Sequence, residues 1–199
     1  MIPVSPKTEP PDFDKKVRKP GQKWLRDNNI VPGAPPPDAS KLPPYWRETQ
    51  KALWNAYDRV CAYLCIYFDW PIGAGSTDHF VAKSKDAGQA YEWTNYRLSC
   101  LGMNRQKNRF DDILDPFQIQ HQTFVLNLVS GEIRPSPGLS PILAAQAEDT
   151  IKRLKLDDAE TNKMRAEHFA EYLRKEVVET YLARHSPFVW YEAKRQGLL

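Results

Sequence analysis

Apolar side chains recur at spacings of three and four through Trp46, Leu53, Trp54, Tyr57, Val60, Cys61 and Leu64, which predicts one face of a helix over 45–65. Pro44, immediately before, is a start signal. A turn-rich stretch at 69–75 (DWPIGAG) follows and leads into a short strand ending near Asp78-His79. Residues 81–92 read as a loop, 95–100 (NYRLSC) alternate as a strand does, and 101–110 read as a short basic helix. Farther on, 123–129 (TFVLNLV) is β-prone, 130–132 (SGE) supply a turn, and Ile133-Arg134 begins the return strand of a hairpin. Helical spacing returns over 140–156 and 157–184, with Asp157 or Asp158 as the N-cap. Ser186-Pro187 then breaks the chain before a last amphipathic piece at 188–196.

Proline divides this pattern. Eleven of the 17 prolines fall before residue 45, where each removes a backbone donor and disfavours helix in the residue before it. The expectation for 1–44 is an extended, irregular arm anchored through Trp24 and Leu25. The organisation expected is therefore α+β. The arm (1–44) precedes a small β-β-α core with its leading helix (45–117), and a β-hairpin with a helical region completes the chain (118–199).

Composition narrows the setting more than the activity. With 41% hydrophobic residues in 199, the chain can bury a core. A net charge of +3 is compatible with nucleic acid without arguing for it. There is no apolar run of membrane-spanning length, and the opening MIPVSPKTEPPDF is unlike a charged-then-apolar leader. Three cysteines make no disulfide framework, so a reduced, cytoplasmic protein without a membrane partner is expected.

The chemistry concentrates in TDHFVAKSKDAGQAYEWTNYRLSCLGMNRQKNRF. His79 can take a proton from water, and Asn95 can accept from one imidazole N–H and fix the tautomer. Asp78 and Asn104 offer hard oxygens for a divalent cation, which favours Mg²⁺ or Mn²⁺ over zinc. Arg97, Arg105 and Lys107, with Lys83 in the loop, are candidates to hold phosphates, with Arg109 and Lys85 nearby. His121, His168 and His185 show no ligand or base partner in the sequence.

Residues 59–117 resemble an HNH endonuclease. The pattern is a cysteine pair, Asp/Glu-His-Phe-x-Pro-Lys-Ser, Trp-x-Asn-Leu, Cys-x-x-Cys-Asn-x-x-Lys and Asp-Pro. Here it reads Cys61-Ala-Tyr-Leu-Cys65, Asp78-His-Phe-Val-Ala-Lys-Ser84, Trp93-Thr-Asn-Tyr96, Cys100-Leu-Gly-Met-Asn104-Arg-Gln-Lys107 and Asp115-Pro116. The resemblance implies a ββα-metal core cutting DNA with Mg²⁺ or Mn²⁺. Ala82 stands where the pattern has proline, and Met103 where it has cysteine. Cys61, Cys65 and Cys100 are the candidates for a structural zinc, but three thiolates at irregular spacing are an incomplete tetrahedral set. Apolar packing is the expectation for them and for Met103.

Thr150-Ile-Lys-Arg-Leu-Lys-Leu-Asp157 and the basic Lys163-Met-Arg165 resemble the C-terminal part of HNH proteins that act with an ATPase in Septu-type and retron-associated anti-phage defence. That implies a partner subunit, with the arm and the C-terminal helices as docking elements. The alternatives are a non-catalytic assembly subunit that keeps the fold, or a free-standing restriction-type endonuclease.

Overall fold

The computed structural model describes residues 1–73 and 75–199, with Ile72 and Gly73 by backbone alone. Ala74, in the turn-rich stretch expected at 69–75, lies outside the described residues. Among the described residues the fold is α+β with two small antiparallel sheets. It divides into two compact units, one of Pro6–Arg59 with Asp69–Asp111, the other of Met1–Ser5, Val60–Phe68 and Asp112–Leu199. Each unit is thus assembled from separated segments, rather than from the three consecutive ones expected.

In the first unit, a wide π-type turn over Asp14–Arg18 runs into helix α1, Lys19–Asp27. Pro20 stands in the first turn of α1, where a missing N–H leaves no intrahelical bond unmade. The arm is therefore not extended throughout. Between Pro11 and Pro32 the only proline is Pro20, and Phe13, Val17, Gly21 and Leu25 fall four apart on a buried face. Phe13 packs edge-on against Trp93 and Tyr96, with ring centroids at 5.5 and 5.7 Å. Gly21 lies so close to Tyr91 that a Cβ there would stand 2.2 Å from the ring.

The helix expected over 45–65 is shorter. A 3₁₀ turn, Tyr45–Thr49, leads into α2, Gln50–Ala56. Asp58 and Arg59 then take positive φ (53° and 67°), which ends the helix. The apolar periodicity at Val60 and Cys61 continues past that break in irregular chain. After the short turn α3, Trp70–Gly73, strand β1 (Gly75–His79) pairs antiparallel with β2 (Tyr96–Cys100), His79 opposite Tyr96. Helix α4, Leu101–Lys107, follows β2 directly and closes at Asn108 with φ 47°.

Residues 80–95, between the strands, form turns tied to the N-terminal segment. Trp93 Nε1 donates to Lys7 O at 2.7 Å, Gly33 N to Asp86 Oδ1 at 2.9 Å, Ala87 N to Ala34 O at 3.1 Å and Tyr91 Oη to Pro43 O at 3.2 Å. Arg18 bridges Glu9 and Glu92.

In the second unit the expected hairpin is β3 (Phe124–Leu126) with β4 (Ile133–Pro135). Helix α5, Pro141–Leu154, is capped by Ser140 Oγ, and α6, Ala159–Leu173, by the Asp158 carboxylate. The expected helix at 157–184 is broken at Lys175, φ 61°, so that α7 (Glu179–His185) is separate. Pro187 opens α8, Pro187–Arg195. Arg165 is buried here and donates to the carbonyls of Leu156 (2.8 Å) and Gly131 (3.2 Å). No helix among the described residues is long and apolar enough to cross a membrane.

Candidate active site

The pleat of β1 sends Ser76 and Asp78 to one face and Thr77 and His79 to the other. Asn104 and Lys107, three apart and so neighbours on α4, meet the first face. Asn104 Nδ2 donates to Ser76 Oγ, and Lys107 Nζ stands 3.4 Å from Asp78 Oδ1. At this end of β1, Asp78, His79 and Asn104 all line one open cleft of about 510 Å³, together with Lys83, Arg47 and Arg109.

His79 sits at the end of β1, half-buried, with Trp46 and Tyr96 both edge-on to its ring at 4.8 and 5.2 Å. Burial in this aromatic surround pushes its pKa down to about 3 and keeps the ring neutral. Its Nε2 lies 3.1 Å from the carbonyl oxygen of Ala90. A carbonyl only accepts, so Nε2 carries the hydrogen and Nδ1 is left with the lone pair. Tyr96 Oη donates to the same oxygen at 2.7 Å. Burial raises the pKa of Tyr96 well above the usual phenol range, so it remains a donor.

Asn95 does not orient His79 directly, as the sequence suggested. Its Oδ1 accepts from Val81 N at 2.8 Å, and its Nδ2 donates to Val81 O at 3.0 Å and Gln89 O at 2.9 Å. A buried amide so engaged ties together the two ends of the loop 81–89 and thereby places the adjoining Ala90 carbonyl. The orienting acceptor is backbone, and Asn95 acts one step behind it.

Two expected phosphate contacts are overturned. Lys107 is 0% exposed, and Nζ donates to His79 O at 2.8 Å and Phe80 O at 2.9 Å besides facing Asp78. Its burial outweighs the favourable Asp78 charge and lowers its pKa. Arg97 is 4% exposed, with Nη1 on Thr94 O (2.8 Å) and Tyr96 O (3.1 Å) and the guanidinium 5.1 Å above Phe80. Both cations fasten the hairpin and present no free face to a phosphate. Arg105 is exposed on α4 but is not among the cleft's lining residues. Lys83, half-buried with its ammonium 4.7 Å above Trp46, does line the cleft. Lys85 pairs with Asp111.

No protein-family model and no curated protein matches the chain.

The oxygens of Asp78, Asn104 and Ser76 on one wall are a hard donor set of the kind that suits Mg²⁺ or Mn²⁺. The residues present therefore fit such a cation. Among the described residues there is no cluster of three or more His, Cys, Asp and Glu side chains, the arrangement a zinc cage requires. Cys61 and Cys65 are buried in the second unit, Cys65 Sγ accepting from Ile2 N at 3.4 Å, whereas Cys100 belongs to the first. Met103 packs in the core.

Ala90 leaves no mark in the sequence, because a carbonyl that sets a tautomer carries no side-chain signature. Tyr96 was visible only as the residue after Asn95. Trp46 falls in the helical spacing of 45–65, and its place at the cleft, like that of Arg47, comes from tertiary packing alone.

Proposed function

We propose that the chain is a metal-dependent HNH endonuclease that hydrolyses DNA phosphodiesters. In this reading β1, β2 and α4 are its ββα-metal core. The observation that supports it best is His79, held by one ring nitrogen to the Ala90 carbonyl, in the cleft that Asp78 and Asn104 also line. The Nδ1 lone pair takes the proton of the attacking water, and Ala90 O keeps Nε2 protonated throughout. Asn95 holds the loop that carries Ala90, and Lys83 faces the phosphate backbone. Mg²⁺ would be held by Asp78 and Asn104, and when bound it neutralises charge on the scissile phosphate. The resemblance carries the wider reading: a cytoplasmic effector of bacterial anti-phage defence, working with an ATPase subunit.

One observation favours the non-catalytic alternative. Asp78 already faces the buried ammonium of Lys107, so its charge is balanced without a metal ion. A single experiment separates the two. Purified chain is incubated with supercoiled plasmid, with and without Mg²⁺ or Mn²⁺, beside His79→Ala. Metal-dependent nicking lost in the variant supports the enzyme. Intact plasmid in every lane leaves the assembly role.

A further inference from the structure

Arg47, Lys83 and Arg109 all line the cleft, and among the described residues no carboxylate pairs with any of them. The one acid on the cleft wall, Asp78, already faces Lys107. Arg47 comes from the turn Tyr45–Thr49, set by Arg47 N donating to Pro44 O at 3.0 Å, and lies outside the segment that resembles a nuclease. Lys83 lies over the indole of Trp46, the chain neighbour of Arg47. The aromatic ring that seats one cation therefore fixes the backbone carrying the other. Trp46 packs against His79, whereas Asn104 and Lys107 meet the Ser76/Asp78 face of β1. The Arg47–Lys83 pair is thus on the His79 side, away from the oxygen donors. Burial and then the charge of Arg47 depress the pKa of Lys83, so the two cations repel each other. Like charges held together without an acid raise the free energy of the free protein, and an anion between them relieves it.

We propose that Arg47 and Lys83 form a two-cation seat for a phosphate other than the scissile one. This commits the cleft to a polynucleotide rather than an isolated phosphodiester. The inference rests on the reading of the cleft as a phosphodiester site, and it adds a subsite supplied by the N-terminal segment.

The test is fluorescence anisotropy of a labelled DNA oligonucleotide with the full chain in EDTA, titrated with salt. Arg47→Ala and Lys83→Met should each lower the salt slope by about 1 and weaken binding on the order of tenfold. Arg47→Lys should keep the slope. The methionine retains the packing on Trp46, and an unchanged circular dichroism spectrum checks the fold of each variant. In Mg²⁺, Arg47→Ala should raise KM for the oligonucleotide with kcat little changed, while its hydrolysis of bis(4-nitrophenyl) phosphate, which has one phosphate, should not change. A wild type that nicks plasmid while both variants keep its salt slope overturns the seat and leaves the nuclease standing. Equal loss on the one-phosphate ester, or a wild type that fails to bind the oligonucleotide, also overturns the seat. Reduced slopes in a wild type that never cuts would keep the seat and sink the nuclease.

Discussion

Tyr96 Oη and His79 Nε2 donate to the same oxygen, the carbonyl of Ala90, at 2.7 and 3.1 Å. Each donor occupies one lone pair, so neither replaces the other. Tyr96→Phe therefore leaves the histidine bond in place. It should cost about 1 kcal/mol of stability and less than about tenfold in kcat. His79→Ala should lose on the order of 10²–10⁴-fold in the same plasmid assay. Equal losses in the two variants would make the phenol, not the imidazole, the group that matters.

Asn95→Ala removes three hydrogen bonds from a side chain 4% exposed. A denaturant midpoint should report a loss of about 2–4 kcal/mol, because Val81 and Gln89 are left short of partners. With the Ala90 carbonyl no longer placed, kcat should fall more than KM rises. Asn95→Asp should rescue little, since a carboxylate can accept from Val81 N but cannot donate to the two carbonyls. Full activity with lowered stability would mean the loop does not set the histidine.

Lys107→Met should be among the costlier single changes, about 3–5 kcal/mol, because it removes the buried cation beside Asp78 and the donor to two carbonyls. Adding Asp78→Asn should recover part of the loss, as a double-mutant cycle would read. The salt slope of DNA binding should be the same for wild type and Lys107→Met. A slope lowered by about 1 would return Lys107 to the phosphate contacts.

His168 in α6 bonds through Nδ1 to Ser186 Oγ in the second unit. Burial depresses its pKa, partly opposed by Glu171 and Glu167 on its own helix and reinforced by His185 of α7. The folded state then binds fewer protons than the unfolded one. This stability is fully present above the unfolded value, about 6.5, and is lost as pH falls through the folded pKa. The thermal midpoint of the wild type should drop between about pH 7 and 5 more steeply than that of His168→Gln. Parallel curves would place the acid sensitivity elsewhere.

The parts of the fold that were legible are those that short-range pattern encodes. Alternation marked β2, the basic run marked α4, helical spacing bounded α5 to within two residues, and the Asp158 cap marked the start of α6 but not its end. The helix of the arm was hidden because Gly21 occupies one of its four-spaced core positions and most positions between them are charged. The overrun past Tyr57 has the opposite cause, since apolar periodicity carries no information about the positive φ of Asp58 and Arg59. At the site, Asp78, His79, Asn95 and Asn104 were legible as chemical types. The roles of Asn95, Lys107 and Arg97 were not, because all three bond to backbone carbonyls whose positions only the folded chain defines.

The loop that carries Ala90 is fastened by Lys7, Gly33, Ala34 and Pro43, and Gly21 leaves no room between α1 and Tyr91, the residue after Ala90. An excised 59–117 fragment would therefore hold every recognisable motif and still lack a correctly oriented histidine. For this chain the structural module is larger than its signature, and grafting the signature alone onto another scaffold would transfer the letters without the packing that holds His79.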